Sequence, residues 1–151
     1  MLVQELAPDD CRNALQHTRV GRLACAFENQ PYVVPIHFCV DEDYAYSFSM
    51  PGQKLEWMRK NPLVCLEVDD ITARDDWTSV VAVGRYEELP DTPECRPARL
   101  RALELLQSGG MWWQPGAVPL ENAAHGPAVS AVVYRIAIER LTGRRGLPAA
   151  V

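Results

Sequence analysis

Residues 77–89, WTSVVAVGRYEEL, constrain the fold more than any other stretch. The run is long, rich in β-branched residues and free of proline, so it reads as a strand. Period-2 geometry then places Trp77, Ser79, Val81, Val83 and Arg85 on one side of a sheet. The other strand-like runs follow in close succession. Residues 20–27 (VGRLACAF) turn at Glu28-Asn29-Gln30 into residues 31–40 (PYVVPIHFCV). Asp41-Glu42-Asp43 turn that run into a strand ending at Ser49. Residues 63–69 (LVCLEVD) precede a polar loop, and residues 129–141 (VSAVVYRIAIERL) form a last strand. Five to six mostly consecutive strands joined by hairpin turns, with few helices, predict a mainly β chain folded as a small antiparallel barrel.

Three short helices punctuate the strands. Asp9 or Asp10 can cap one that runs through Leu15, with Pro8 just before it. A second begins after Pro51-Gly52, carries Leu55 and Met58 on one side, and ends at Asn61 before Pro62. A third reaches Gln107 with Leu100, Leu103 and Leu106 packed inward, and Ser108-Gly109-Gly110 stops it. Residues 111–128 form a long segment rich in Pro and Gly, of the kind that serves function inside compact domains. Residues 1–151 read as one domain, with 143–151 a mobile tail. The second strand is apolar on both faces, and Pro35 within it cannot donate to a ladder. That point is therefore an edge, a bulge or a docking place.

The turn at residues 47–61, SFSMPGQKLEWMRKN, carries the chemistry. Its strand puts Tyr44, Tyr46 and Phe48 on one face and the small Ala45, Ser47 and Ser49 on the other. The helix that follows presents outward-pointing amides and the positive end of its dipole, and Lys54 adds a full charge. A phosphate monoester fits such a seat. Ser-x-Pro-Gly is also common turn chemistry, and an exposed first-turn lysine is often only solvated. The stretch lacks the upstream glycine and the Ser/Thr of a P-loop.

Composition excludes several classes. A net charge of −5 and a pI near 5.2 argue against nucleic-acid or acidic-membrane partners. No apolar run approaches the roughly 20 residues that span a bilayer, and the acidic N-terminus carries no signal-peptide pattern. Five scattered cysteines without a C-x-x-C pair fit reduced thiols in a cytoplasmic protein. The three histidines lie far apart in sequence, and no metal site is expected.

Taken in register, GRLACAF, PYVVPIHF, YSFSMPGQKLEWMRKNPLVCLEVDD, WTSVVAVGRYEELPDTPE, WWQPG and YRIAIERLTGRRG resemble the pyridoxamine 5′-phosphate oxidase-like, flavin-binding split-barrel superfamily. The small branch related to nitroimidazole reductases is the most similar. The resemblance covers about residues 20–146. It implies a six-stranded antiparallel split β-barrel, a homodimer, and flavin mononucleotide (FMN) at the subunit interface. By the same resemblance Lys54 reaches the phosphate, with Ser49 and Gln53 nearby. Val34, Pro35, Ile36 and His37 run along the polar edge of the isoalloxazine, and Ser47 and Phe48 lie beneath ring and ribityl chain. Trp77 and Ser79 come from the other subunit. The residues themselves agree at two points: the small Ala45/Ser47/Ser49 face leaves room for a flat ring, and Pro35 leaves a gap in the pairing. Ser47 stands where nitroimidazole reductases of this branch carry a histidine. The ending GRRGLPAAV also lacks the arginine- and tryptophan-bearing segment of true pyridoxamine phosphate oxidases, so vitamin B6 oxidation is not expected.

Trp112 and Trp113 read either as a wall of the substrate pocket or as dimer anchors. His37 reads as a contact to the flavin or a substrate or as a satisfied barrel histidine, and Arg85 as an interface or flavin contact or, more commonly for such a residue, the ion-pair partner of Glu67, Glu87 or Glu88. Tyr86 and Tyr134 read as core. Two functions follow. One is a flavin-dependent oxidoreductase passing hydride or electrons to a small-molecule substrate, possible reductants being NADH and NADPH. The other is a protein that holds flavin, haem or a deazaflavin without turnover.

Overall fold

The computed structural model describes residues 1–107 and 131–150. Among them the chain runs β1 (Leu2–Glu5), α1 (Pro8–Gln16), β2 (Val20–Phe27), β3 (Gln30–His37), β4 (Cys39–Asp41), β5 (Tyr44–Ser49), α2 (Gln53–Lys60), β6 (Leu63–Ala73), β7 (Asp76–Glu88), α3 (Arg96–Gln107) and β8 (Val132–Leu147). All strands join one antiparallel sheet in the order β3-β2-β6-β7-β8-β5-β4, with β1 paired to β8. The two ends of that order, β3 and β4, are separated in the chain only by Phe38. The sheet must therefore roll until its ends meet. The Ser47 hydroxyl fastens the seam by donating to the His37 carbonyl at 2.6 Å, and Phe38 N–H donates to Arg19 O at 3.0 Å.

Alternation along each strand decides what lies inside. Leu23, Ile36, Leu66, Val68, Val80, Ala82, Tyr134 and Ile136 fill the barrel, and Leu55 and Met58 of α2 close one part of it. A second cluster lies on the other side of β5, where Tyr46, Phe48 and Val133 meet Ala102 and Leu106 of α3. Both faces of β5 are thus covered, and the direction in which the chain leaves that strand is fixed by packing on two sides.

The six expected strands are all present, and two short ones join them. The second expected strand breaks at Phe38 into β3 and β4, and β1 adds four exposed residues to the edge of β8. The sharpest correction concerns the C-terminal end. The last strand does not stop at residue 141 with a mobile tail beyond; it continues to Leu147, paired with β7 on one edge and with β1 on the other. Gly143 and Gly146 look like breakers in the sequence but permit close contact in the strand. A Cβ on Gly143 would meet Cys11 Sγ at 2.7 Å, and one on Gly146 would meet Trp77 Cε2 at 2.7 Å.

Smaller differences have similarly local causes. Pro8 itself opens α1 with Ala7 as the N-cap, so Asp9 and Asp10 occupy the first turn and act through the helix dipole. In α3 the buried face is Ala102 and Leu106, and Leu100 is exposed. Arg85 pairs with Glu139 across the sheet at 2.9 Å. Tyr86 and Tyr134 are buried as expected, their rings 5.4 Å apart. The five cysteines are free thiols, three of them buried. No described helix is long and apolar enough to cross a membrane.

Candidate functional site

The turn after β5 is built from the packing just described. Ser49, buried on the barrel side, donates its hydroxyl to Met50 O at 2.9 Å and tightens the exit from the strand. Gly52 is fully extended and is the N-cap of α2, which receives no side-chain cap. The helix begins with Glu56 N–H donating to Gly52 O at 3.2 Å, which leaves the amides of Gln53, Lys54 and Leu55 at an uncapped end. Leu55 and Met58 are fully buried and hold the helix. Trp57 leans on Tyr32 (ring centroids 5.6 Å) and Phe27 (6.0 Å), and Asn61 Nδ2 donates to Ala26 O at 2.9 Å. These contacts hold α2 against the barrel.

Lys54 is half-buried beside that end. Burial holds its pKa below the usual lysine value, and the nearby Cys25 opposes that shift only in part. Among the described residues it has no carboxylate within ion-pair distance. A partly desolvated cation next to uncapped amides is a feature that a bound anion would relieve.

The open edge of β3 lies next to this turn through the Ser47–His37 bond. β3 pairs on one side only, with β2, and Pro35 sits opposite Arg22 in that register. The reading of Pro35 as an edge position is therefore correct. Its side chain is exposed, Val34 is half-buried, and Ile36 and His37 are buried. Desolvation, helped by the Arg19 charge, lowers the His37 pKa to about 4, so the imidazole is neutral near pH 7. Ser47, Phe48 and Ser49 are buried at 1%, 2% and 6% exposure. The Ala45/Ser47/Ser49 face, read as room for a flat ring, is turned into the barrel and covered by the chain's own packing. Alternation gave its chemistry but not what it faces.

The structure therefore brings together the β3 end, β5, Gln53 and Lys54. It does not bring Trp77 and Ser79 to them. Both lie on β7, three strands from β3 by way of β2 and β6 and two from β5 by way of β8. Trp112 and Trp113 lie outside the described residues. Trp77 and Ser79 instead line a separate cleft of about 590 Å³ with Glu5, Thr142 and Arg144. Sequence reading missed those last three residues, because the tail and the first residues were not read as strands. Ser79 also donates to Glu67 at 3.3 Å, and Arg22 bridges Glu67 and Asp69 at 3.9 and 3.3 Å.

A rolled antiparallel sheet with both ends supplied by adjacent chain, and an uncapped helix end set beside its seam, defines a split β-barrel. The chain belongs to the pyridoxamine 5′-phosphate oxidase family, whose profile matches residues 7–145. It is 37% identical over 145 residues to an uncharacterised protein of Rhizobium meliloti (strain 1021), 95% of each chain being covered. It is 44% identical to a protein of Mesorhizobium loti whose crystal structure is named as that of a FAD-binding protein, with a TM-score of 0.81 over 97% of this chain and 99% of that one. A Bacteroides thetaiotaomicron protein named for 5-nitroimidazole antibiotic resistance shares the fold at 18% identity, TM-score 0.67, over 96% of this chain and 89% of that one.

Proposed function

We propose that the chain binds a flavin through its phosphate, FMN being the simplest such cofactor, and acts as an oxidoreductase on a small molecule. The observation that carries this reading is the uncapped N-terminus of α2 with the half-buried Lys54 beside it, which has no carboxylate partner among the described residues. The donor set fits a phosphate dianion: main-chain amides, a positive dipole end and one full cation. Family membership and the FAD-binding name of the relative at 44% identity support the same reading.

In this reading Lys54, Gln53 and the first amides of α2 hold the phosphate. The open edge of β3 at Val34–His37 offers main-chain donors and acceptors to the ring's polar edge, and neutral His37 adds no charge there. Ser47 keeps the β3 end against β5, and Phe48 and Ser49 fix the strand from which the turn leaves. The flavin supplies one- or two-electron redox chemistry when bound. No acid–base dyad is required of the protein. A two-fold dimer in which Trp77 and Ser79 come from the other subunit completes the site, since one chain keeps these residues away from the turn.

Titration of purified protein with FMN and riboflavin tests the reading, followed by anaerobic mixing with NADH or NADPH. FMN binds more tightly than riboflavin, and one of the nucleotides bleaches the flavin band slowly. Equal affinity for the two flavins would remove the phosphate seat. Reduction by dithionite alone would turn the reading to a flavin carrier or a protein electron donor. Sedimentation across a dilution series, with and without FMN, tests the dimer. A monomer that binds FMN with full affinity would overturn it.

A further inference from the structure

The flank of α2 that carries Lys54 continues into an aromatic cluster that the proposed cofactor site leaves unused. Lys54, Trp57 and the C-cap Asn61 stand at i, i+3 and i+7 on one side of the helix. Asn61 Nδ2 anchors that side to Ala26 O, and Lys54 lies near Cys25, one residue back along β2. Cys25 pairs with Tyr32 across the β2–β3 ladder. The Tyr32 ring is 5.6 Å from that of Trp57 and tilted by 59°, and the Phe27 ring is 6.0 Å away and tilted by 49°. Such tilted contacts fix the indole without stacking flat on it, and both Trp57 and Tyr32 stay half-buried. A fixed, partly open aromatic plane is a platform for another flat ring. Lys60 Nζ stands 4.7 Å from the Phe27 centroid, is exposed and makes no ion pair among the described residues, so the rim is also cationic.

Position along β3 gives the cluster its meaning. In the proposed function the flavin ring lies along Val34–His37 and its phosphate at Lys54, beside the Cys25–Tyr32 pair. Tyr32 lies beyond Val34 on the same open edge, and Trp57 lies nearly one helical turn beyond Lys54. A ligand running from ring to phosphate and onward in the same sense therefore meets this aromatic pair next. We infer that Tyr32 and Trp57 seat the adenine of a flavin dinucleotide, so that the chain takes FAD in preference to FMN. The inference rests on the proposed phosphate seat at Lys54 and extends it by one nucleotide. Lys54 and the α2 amides hold the flavin-side phosphate, Lys60 adds charge for the second, and the base stacks on the open face of Trp57. No residue of β7 or β8 takes part.

Calorimetric titration of the flavin-free protein with riboflavin, FMN and FAD tests this, repeated on Trp57→Leu and Trp57→Phe. FMN binds more tightly than riboflavin, and FAD binds more tightly than FMN by about tenfold, the worth of one stacked base. Trp57→Leu removes the FAD advantage and leaves the FMN affinity as it was. Trp57→Phe keeps a ring against Tyr32 and Phe27, and it reduces the advantage only in part. That variant carries the test if Trp57→Leu does not fold. FAD binding no more tightly than FMN to the unaltered protein overturns the inference. So does an FAD-to-FMN ratio that the substitutions leave unchanged, or a Trp57→Leu protein that loses FMN and FAD alike. None of those results touches the phosphate seat, which is read from the gap between FMN and riboflavin. Closure of that gap removes the seat and this inference with it.

Discussion

Replacing Lys54 with methionine separates a binding residue from a structural one, because the two roles predict opposite signs. Met preserves the volume and the apolar stem and removes only the charge. In the free protein that charge is half-buried, carboxylate-free among the described residues, and held at a lowered pKa by desolvation. The unfolded chain therefore binds more protons than the folded one between the lowered value and the ordinary lysine value near about 10.4. Stability of the unaltered protein rises with pH through that window, and at neutral pH the charge is a net cost. Lys54→Met should raise the melting temperature of the flavin-free protein at pH 7 and flatten its rise at alkaline pH. The same change should weaken FMN by roughly 1.5–3 kcal/mol, about ten- to a hundredfold in Kd. The uncapped amides of α2 survive the substitution, so part of the affinity remains. Riboflavin, which has no phosphate, should bind equally to both proteins. Thermal melts and fluorescence titrations read all four quantities. A variant that melts several degrees lower, or that loses FMN and riboflavin alike, would refute the assignment of Lys54 to a phosphate.

Gly84→Ala places a Cβ against the Ala137 carbonyl and 2.9 Å from Ile136 Cγ2 at the β7–β8 bulge, where neither backbone can retreat. It should cost about 2–3 kcal/mol in urea unfolding, and a cost under about 0.5 kcal/mol would show that the bulge is soft. Ser47→Ala removes a buried donor from the His37 carbonyl and should destabilise by about 1–3 kcal/mol; an unchanged unfolding midpoint would show that the seam is held by packing alone. Glu88 receives two hydrogen bonds from Arg59, at 2.9 and 2.6 Å, which lower its pKa. A depressed carboxylate contributes stability at neutral pH that is lost as pH falls through its folded value. Glu88→Gln should therefore show a shallower loss of melting temperature on acidification between about pH 5 and 3. The partners are 46% and 31% exposed, which limits the effect to about 0.5–1 kcal/mol; identical pH profiles would leave the pair without a role.

The barrel was legible because its signals are local. Alternation in residues 77–88 and 20–27, and the turns at Glu28-Asn29 and Glu42, each depend on a few neighbours. The left-handed conformations at Glu28, Asn29 and Glu42 lie where the polar turns were read. The Pro51-Gly52-Lys54 turn was legible for the same reason, since the strand exit, the helix start and the cation all fall within a dozen residues. What faces a strand is not local. The small side of β5 was read correctly as small, but only the closing of β3 onto β4 reveals that it points inward and that Ser47 serves the seam.

The cleft was illegible for a related reason that Gly143 and Gly146 make plain. In sequence, TGRRGLPAAV offers two glycines, two cations and a proline, the composition of a fraying end. In the fold each glycine is a place where another side chain needs the space of the missing Cβ: Cys11 at one, Trp77 at the other. Trp77 and Cys11 are 69 and 132 residues away from those glycines, beyond any window in which periodicity can be read. Pairing on both edges then turns the supposed tail into the longest strand of the sheet and sets Arg144 between Ser79 and Glu5. A glycine thus marks either a break or a close approach, and its own neighbours cannot say which. The functional consequence is asymmetric: the proposed phosphate seat can be found by reading forward along one turn, whereas the cleft beside Trp77 exists only once β1, β7 and β8 have met.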